Sequence, residues 1–111
     1  MGSLSIGQIV LANFPFSDLN GKKLRPCLVI GLAELGDVIL CQITSKPYGS
    51  KKSIPLANND FLEGSIAVDS FIRPDKIATL DTKLVDQLLG TLKSAKLDNV
   101  KMVLKKALEI N

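Results

Sequence analysis

A chain of 111 residues, 46% hydrophobic and 23% charged, is long enough for one folded domain and too apolar to stay disordered. It contains no histidine and only two thiols, Cys27 and Cys41. Ordinary zinc sites, Ser-His-Asp and Cys-His nucleophile pairs and histidine-dependent ribonuclease chemistry are therefore excluded.

The net charge of +3 is unevenly spread. Residues 1–81 balance eight cations against eight anions, while six lysines in 82–111 outnumber Asp86, Asp98 and Glu109. Inside the balanced part, Lys22, Lys23 and Arg25 form one basic cluster and Lys46, Lys51 and Lys52 another. Two basic loops suit a phosphate backbone, and they equally suit a solvated surface. The residues from Met1 to Ser5 lack the charged and apolar regions of a signal peptide, and no apolar run approaches a membrane span. A cytoplasmic protein without metal or other cofactor is expected, with residues 1–111 forming one domain.

In chain order, Ile6 to Phe14 is rich in Ile, Val, Leu and Phe and is closed by Pro15, which predicts a strand. Phe16 to Lys23, with Ser17-Asp18 and Asn20-Gly21, predicts a loop. Leu24 to Ala33 and Asp37 to Ser45 predict a hairpin about Glu34–Asp37. If Glu34 pairs with Asp37, then Leu28 faces Ile43, Ile30 faces Cys41 and Leu32 faces Ile39, giving one apolar face. The other face then carries Arg25, Cys27, Gln42 and Thr44, with Cys27 opposite Thr44 and Arg25 diagonal to Thr44. The two cysteines fall on opposite faces, so no disulfide is expected.

Lys46 to Lys52 has the Pro, Gly and Ser of a surface loop, and Ser53 to Leu56 predicts a short strand. Asn58-Asn59-Asp60 predicts a turn. Ser65 to Arg73 alternates, with Ile66, Val68 and Ile72 inward and Asp69 and Arg73 outward. Pro74 must end that strand or lie at a sheet edge. Lys76 to Leu80 is a further short strand. Asp81 or Thr82 caps a predicted helix through Leu84, Val85, Leu88 and Leu89, stopped by Gly90. A second helix starts near Ser94, with Leu97, Val100, Leu104, Ala107 and Leu108 as its stripe. Lys96, Lys101, Lys105 and Lys106 lie off that stripe; the helix is expected to pack against the barrel or across an oligomer contact, the alternative being a lysine face that binds nucleic acid.

Gly7-Gln8-Ile9-Val10-Leu11 leading to Phe14-Pro15-Phe16, then Arg25-Pro26-Cys27-Leu28-Val29-Ile30 and Ile43-Thr44-Ser45, resemble the PemK/MazF family of toxin endoribonucleases. Ser70 to Ile77, Leu80-Asp81 and Leu89-Gly90-Thr91-Leu92 continue the likeness. The order and spacing of these pieces, over most of the chain, are more specific than any one of them. The resemblance implies a mostly β, SH3-like barrel with a C-terminal helix, working as a homodimer. It also implies metal-independent, sequence-specific cleavage of single-stranded RNA, restrained by a cognate antitoxin in the RNA groove. In the family a ribose 2′-hydroxyl attacks the adjacent phosphate, leaving a 2′,3′-cyclic phosphate and a 5′-hydroxyl.

Matched residue by residue, the Arg of the family's Arg-Pro motif is Arg25 and the Thr of its Thr-Ser motif is Thr44, the implied catalytic pair. A guanidinium fork can bind two phosphate oxygens while staying charged, and a hydroxyl can share the same phosphate. Ser45, by parity, points to the other face. One branch of the family is proposed to combine a first-loop histidine with a late Arg and Asp. Arg73 and Asp75 match that pair, but the loop has no histidine, and an ordinary ion pair accounts for them equally well. The chain has twelve lysines and two arginines, and both arginines fall at motif positions. Phe16 and Tyr48 are the candidates for stacking against RNA bases, beside the loop cations Lys22, Lys23, Lys46, Lys51 and Lys52. Phe14 and Phe71 are expected in the core. Two other readings share this barrel: a gyrase-poisoning, protein-binding toxin and a catalytically inactive SH3-like interaction module.

Overall fold

The computed structural model describes residues 3–13, 24–46, 49 and 51–110. Seven strands are present: β1 (Gln8–Ala12), β2 (Arg25–Leu32), β3 (Asp37–Thr44), β4 (Ile54–Leu56), β5 (Phe61–Gly64), β6 (Ser70–Asp81) and β7 (Val85–Leu92). A single α-helix, α1 (Ser94–Leu108), follows them. The strands form one antiparallel sheet in the order β4-β6-β3-β2-β1-β7-β5, curled into a half-barrel. The mostly β fold with a C-terminal helix agrees with expectation.

The central strands read as nearly unbroken apolar runs because both of their faces are covered. Ile9, Leu28, Cys41, Ile43, Leu56, Ile72 and Leu92 pack with Val100 of α1 in a helix-side core. The alternate residues Val10, Ala12, Cys27, Val29, Val38 and Leu40 join Leu80 and Val85 in a second core on the opposite face. Each fully buried aliphatic side chain contributes about 1.5–3 kcal/mol. Cys41 lies in the first core and Cys27 in the second, on opposite faces as predicted, and both thiols are free.

The hairpin register is a correction. Glu34 does not pair with Asp37; the chain passes through a 3-10 turn, Glu34–Gly36, with Leu35 in the left-handed region, and the Ala33 N–H donates to Asp37 O at 3.1 Å. Cys27 pairs with Gln42 and Leu28 with Cys41, whereas Leu32 pairs with Val38. Ile30 is the extra residue of a bulge that absorbs the difference. Near Cys27 the observed register differs from the predicted one by two residues, which keeps every side chain on its face. Leu32, beyond the bulge, is exposed rather than core.

Three further expectations are overturned. The predicted helix at residues 82–89 is a 3-10 turn, Thr82–Leu84, followed by β7; Asp81 does cap the turn, accepting from Lys83 N at 2.9 Å. Bulges opposite Ile9/Val10 and Leu11/Ala12 break the period of two in β7, leaving apolar spacings that imitate a helix. Gly90 ends no helix. It lies within β7, where a Cβ would come within 2.8 Å of the Phe61 ring. Pro74 is neither a strand end nor an edge. It is fully buried inside β6, in an irregularity between Gln42↔Arg73 and Cys41↔Ile77 where no ladder N–H is required. Residues 65–69 are outside any strand, and Val68 is exposed.

Helix α1 spans the predicted segment, with Val100 buried and Lys101, Lys105 and Lys106 exposed. Lys96 departs from its predicted place. Its Nζ donates to Pro55 O at 3.0 Å and lies 3.5 Å from Asp60 Oδ1, both side chains being mostly buried. Asp60 also accepts from Ala57 N and Lys93 N, so this lysine ties the helix to the β4–β5 turn. Lys96→Met is expected to lower stability by about 1 kcal/mol, read as the urea midpoint. Among the described residues no helix is long and apolar enough to cross a membrane.

Candidate active site

Arg25 opens β2 and Thr44 closes β3, so both sit at one end of the central hairpin. Continuing the Cys27↔Gln42 register by two residues sets Arg25 opposite Thr44. On the flanks, Ala12 pairs with Arg25, and Thr44 pairs with Phe71. Ala12, Arg25, Thr44, Phe71 and Pro55 thus form one row across five adjacent strands. Directly opposed residues have Cβ atoms about 4.5–5.5 Å apart. The row lies on the face opposite α1, because Arg25 shares parity with Cys27 and Thr44 with Leu40.

Arg25 and Thr44 are both half-buried. The Thr44 hydroxyl oxygen accepts from the Lys46 N–H at 3.2 Å, which orients the side chain and leaves its own O–H as a donor. Arg25 O accepts from the Cys27 thiol at 3.4 Å. A charged fork beside an oriented hydroxyl is a pair of donors fit for one phosphate group.

The next row on the same face is Val10, Cys27, Gln42 and Arg73. Arg73 pairs with Asp75 at 3.8 Å, the ion pair that the sequence allowed. Gln42 is only 7% exposed, and its Oε1 has no hydrogen-bond partner among the described residues. Sequence reasoning placed Gln42 on this face without giving it a role. The available signal was an amide in an otherwise apolar strand interior, since a buried amide demands a partner. Phe71 is a correction. It is half-buried, belongs to neither core, and stands on the Arg25–Thr44 row.

Ser45 and Lys46 follow Thr44 and are exposed, as are Lys51 and Lys52 ahead of β4. Phe16, Lys22, Lys23 and Tyr48 lie outside the described residues. Among the described residues no group of three or more His, Cys, Asp or Glu could hold a metal ion. A recess of about 630 Å³ lies at the other end of the hairpin, lined by Leu4, Leu32, Asp37, Thr82, Lys83 and Val85, and takes in neither Arg25 nor Thr44.

Both thiols are buried. Burial pushes the Cys27 thiol up to about 12, and burial first, then the neighbouring Cys27, raises Cys41 as well. Both are expected to resist a disulfide labelling reagent at pH 8 until the chain unfolds. Because the folded-state value is raised, this contribution to stability is complete below the pKa of the unfolded thiol and is lost as pH rises toward 12. A stability profile measured through that alkaline window checks the sign.

A curled antiparallel sheet with one terminal helix thus carries Arg25 and Thr44 together at one end of its central hairpin, on the face opposite α1. The profile of the PemK-like, MazF-like toxin of type II toxin-antitoxin system family matches residues 5–108, and the chain belongs to that family.

Solved structures share the fold. An endoribonuclease in complex with its cognate antitoxin from a mycobacterial species superposes with a TM-score of 0.77 at 18% identity, covering 98% of each chain. MazE-MazF from Deinococcus radiodurans gives 0.75 at 22% identity over 97% of this chain and 98% of the other. The Mycobacterium tuberculosis toxin MazF-mt6 gives 0.73 at 18% identity over 94% and 98%. No curated protein matches the chain significantly.

Proposed function

We propose that this chain is the toxin of a type II toxin-antitoxin pair and a sequence-specific, metal-independent endoribonuclease acting on single-stranded RNA. The observation that carries this reading is the match of nearly the whole chain to the toxin family; the placement of Arg25 and Thr44 at one end of the β2–β3 hairpin, opposite one another when the Cys27↔Gln42 register is continued, supports it. The solved relatives that are endoribonucleases, one of them bound to its antitoxin, support it. One domain carries the activity, as a homodimer in the cytoplasm, held in check by a cognate antitoxin.

In the proposed reaction the 2′-oxygen bonds to phosphorus as its proton passes to water, the bond from phosphorus to the 5′-oxygen breaks, and that oxygen takes a proton from water, so that protons and charge balance. Arg25 binds the non-bridging oxygens, where negative charge gathers in the transition state, and lies toward the leaving oxygen. Thr44 donates its O–H to the same phosphate. Phe16, Lys22 and Lys23 on one side, and Ser45, Lys46, Tyr48, Lys51 and Lys52 on the other, bind the flanking RNA. Arg73 and Asp75 border the site from β6.

The test is to incubate the protein, in chelator, with a long unstructured RNA and to map the new 5′ ends. Cuts at one short sequence support the reading. Thr44→Val is expected to slow cleavage about a hundredfold, whereas Thr44→Ser keeps most of the rate, because only the hydroxyl is required. Failure to cut several RNAs of varied sequence, together with a stable RNA-free complex with a larger protein, would favour a protein-binding toxin or an inactive barrel.

A further inference from the structure

We propose that Phe71 is a base-stacking residue of the RNA site, holding the base of a nucleotide next to the phosphate bound by Arg25 and Thr44. The proposal rests on the ribonuclease reading and adds a specificity-determining residue to it.

Three observations carry it. Phe71 stands directly opposite Thr44 in the β3–β6 ladder, and Pro55 of β4 stands on its other side. Its chain neighbours Ser70 and Ile72 are buried, Ile72 in the helix-side core, so the Phe71 ring projects from the other face, where Arg25 and Thr44 lie. The ring is only half-buried and joins neither hydrophobic core, an unusual position for a phenylalanine in a central strand. Strands repeat at about 4.8 Å, so two steps separate Arg25 from Phe71, a span that the phosphate and base of one nucleotide can bridge. A π face beside a phosphate site binds any base by stacking and favours unpaired RNA, whose bases can be splayed out.

Phe71→Leu keeps an apolar side chain but removes the ring. RNA affinity is expected to fall about tenfold to a hundredfold, while the cleavage rate of saturating RNA stays within a few-fold of the parent. Phe71→Trp is expected to restore affinity. It also introduces the chain's sole tryptophan, whose fluorescence should be quenched by an uncleavable RNA carrying 2′-deoxyribose at the mapped cut. An abasic nucleotide beside the cut should weaken the parent and leave the Leu variant unaffected.

Parent protein is measured in the same assay, which separates the two ideas. If the parent cuts and Phe71→Leu binds RNA as tightly, the stacking role is overturned while the ribonuclease reading stands. An unquenched Trp variant that binds RNA overturns it too. If Phe71→Leu instead breaks the dimer, and Trp does not restore it, the ring belongs to a contact between copies and the proposal fails. If the parent neither cuts nor binds RNA, both ideas fall.

Discussion

Arg25→Ala is expected to lower the single-turnover rate of RNA cleavage by about a thousandfold or more, with thermal stability close to that of the parent. The side chain is half-buried at the first residue of β2, and it belongs to neither hydrophobic core. Its loss therefore opens no cavity in either core. On the proposed reading, what the reaction loses is the charge and the fork of two parallel donors that would hold the phosphate. Arg25→Lys separates those contributions, since an ammonium keeps the charge without the fork, and a loss of about a hundredfold is expected. Enzyme in excess over labelled RNA gives the chemical step directly. An Ala variant that cleaves at the parent rate would remove Arg25 from the site and make Arg73 with Asp75 the next pair to test.

Gly64→Ala is expected to be the most damaging small substitution in the described fold, costing about 3 kcal/mol or more. Gly64 ends β5 at φ +80°, opposite Gly90 of β7. A Cβ there would strike Leu89 O and come within 2.5 Å of Gly90 Cα, both backbone atoms that no rotamer change can move aside. Detaching β5 would also remove Phe61 from the helix-side core. With total stabilities of roughly 5–15 kcal/mol, the loss should appear as a large drop in the urea midpoint. Gly36→Ala is the control. Its φ is likewise +80°, but a Cβ meets nothing within 4 Å, so only the backbone penalty of about 1 kcal/mol is expected. Equal losses in the two variants would mean that the close β5–β7 approach contributes little.

How far the sequence could be read depends on the local period of each element. Helix α1 runs for 15 residues without interruption, so its apolar stripe is unambiguous. The central hairpin was legible in parity but not in register, because neither the bulge at Ile30 nor the 3-10 turn at Glu34–Gly36 leaves a mark that alternation reveals. Parity was enough for the site: a slip of two residues moves Arg25 from the diagonal of Thr44 to the position opposite it, on the same face. In β7 two bulges turned a strand into the image of a helix. In β6, Pro74 is tolerated in a central strand because the ladder is already broken around it. Phe71 shows a different failure. The alternation that put Ile72 inward also put Phe71 outward, and the general preference of phenylalanine for cores pointed the other way. Gln42 was placed on its face by sequence, but its burial depends on the strands to either side, Cys27 on β2 and Arg73 on β6.

The chemistry assigned to Arg25 and Thr44 requires the ribose of the nucleotide being cut to supply the attacking oxygen. The most direct measurement replaces that single ribose, at a mapped cleavage site, with 2′-deoxyribose and compares binding and cutting of the two RNAs by the parent protein. Unchanged affinity with no cut at the substituted nucleotide, and a 2′,3′-cyclic phosphate end on the all-ribose control, is the expected result. Cleavage of the deoxy substrate at the control rate would contradict 2′-hydroxyl attack, and with it the role given to the Arg25–Thr44 row.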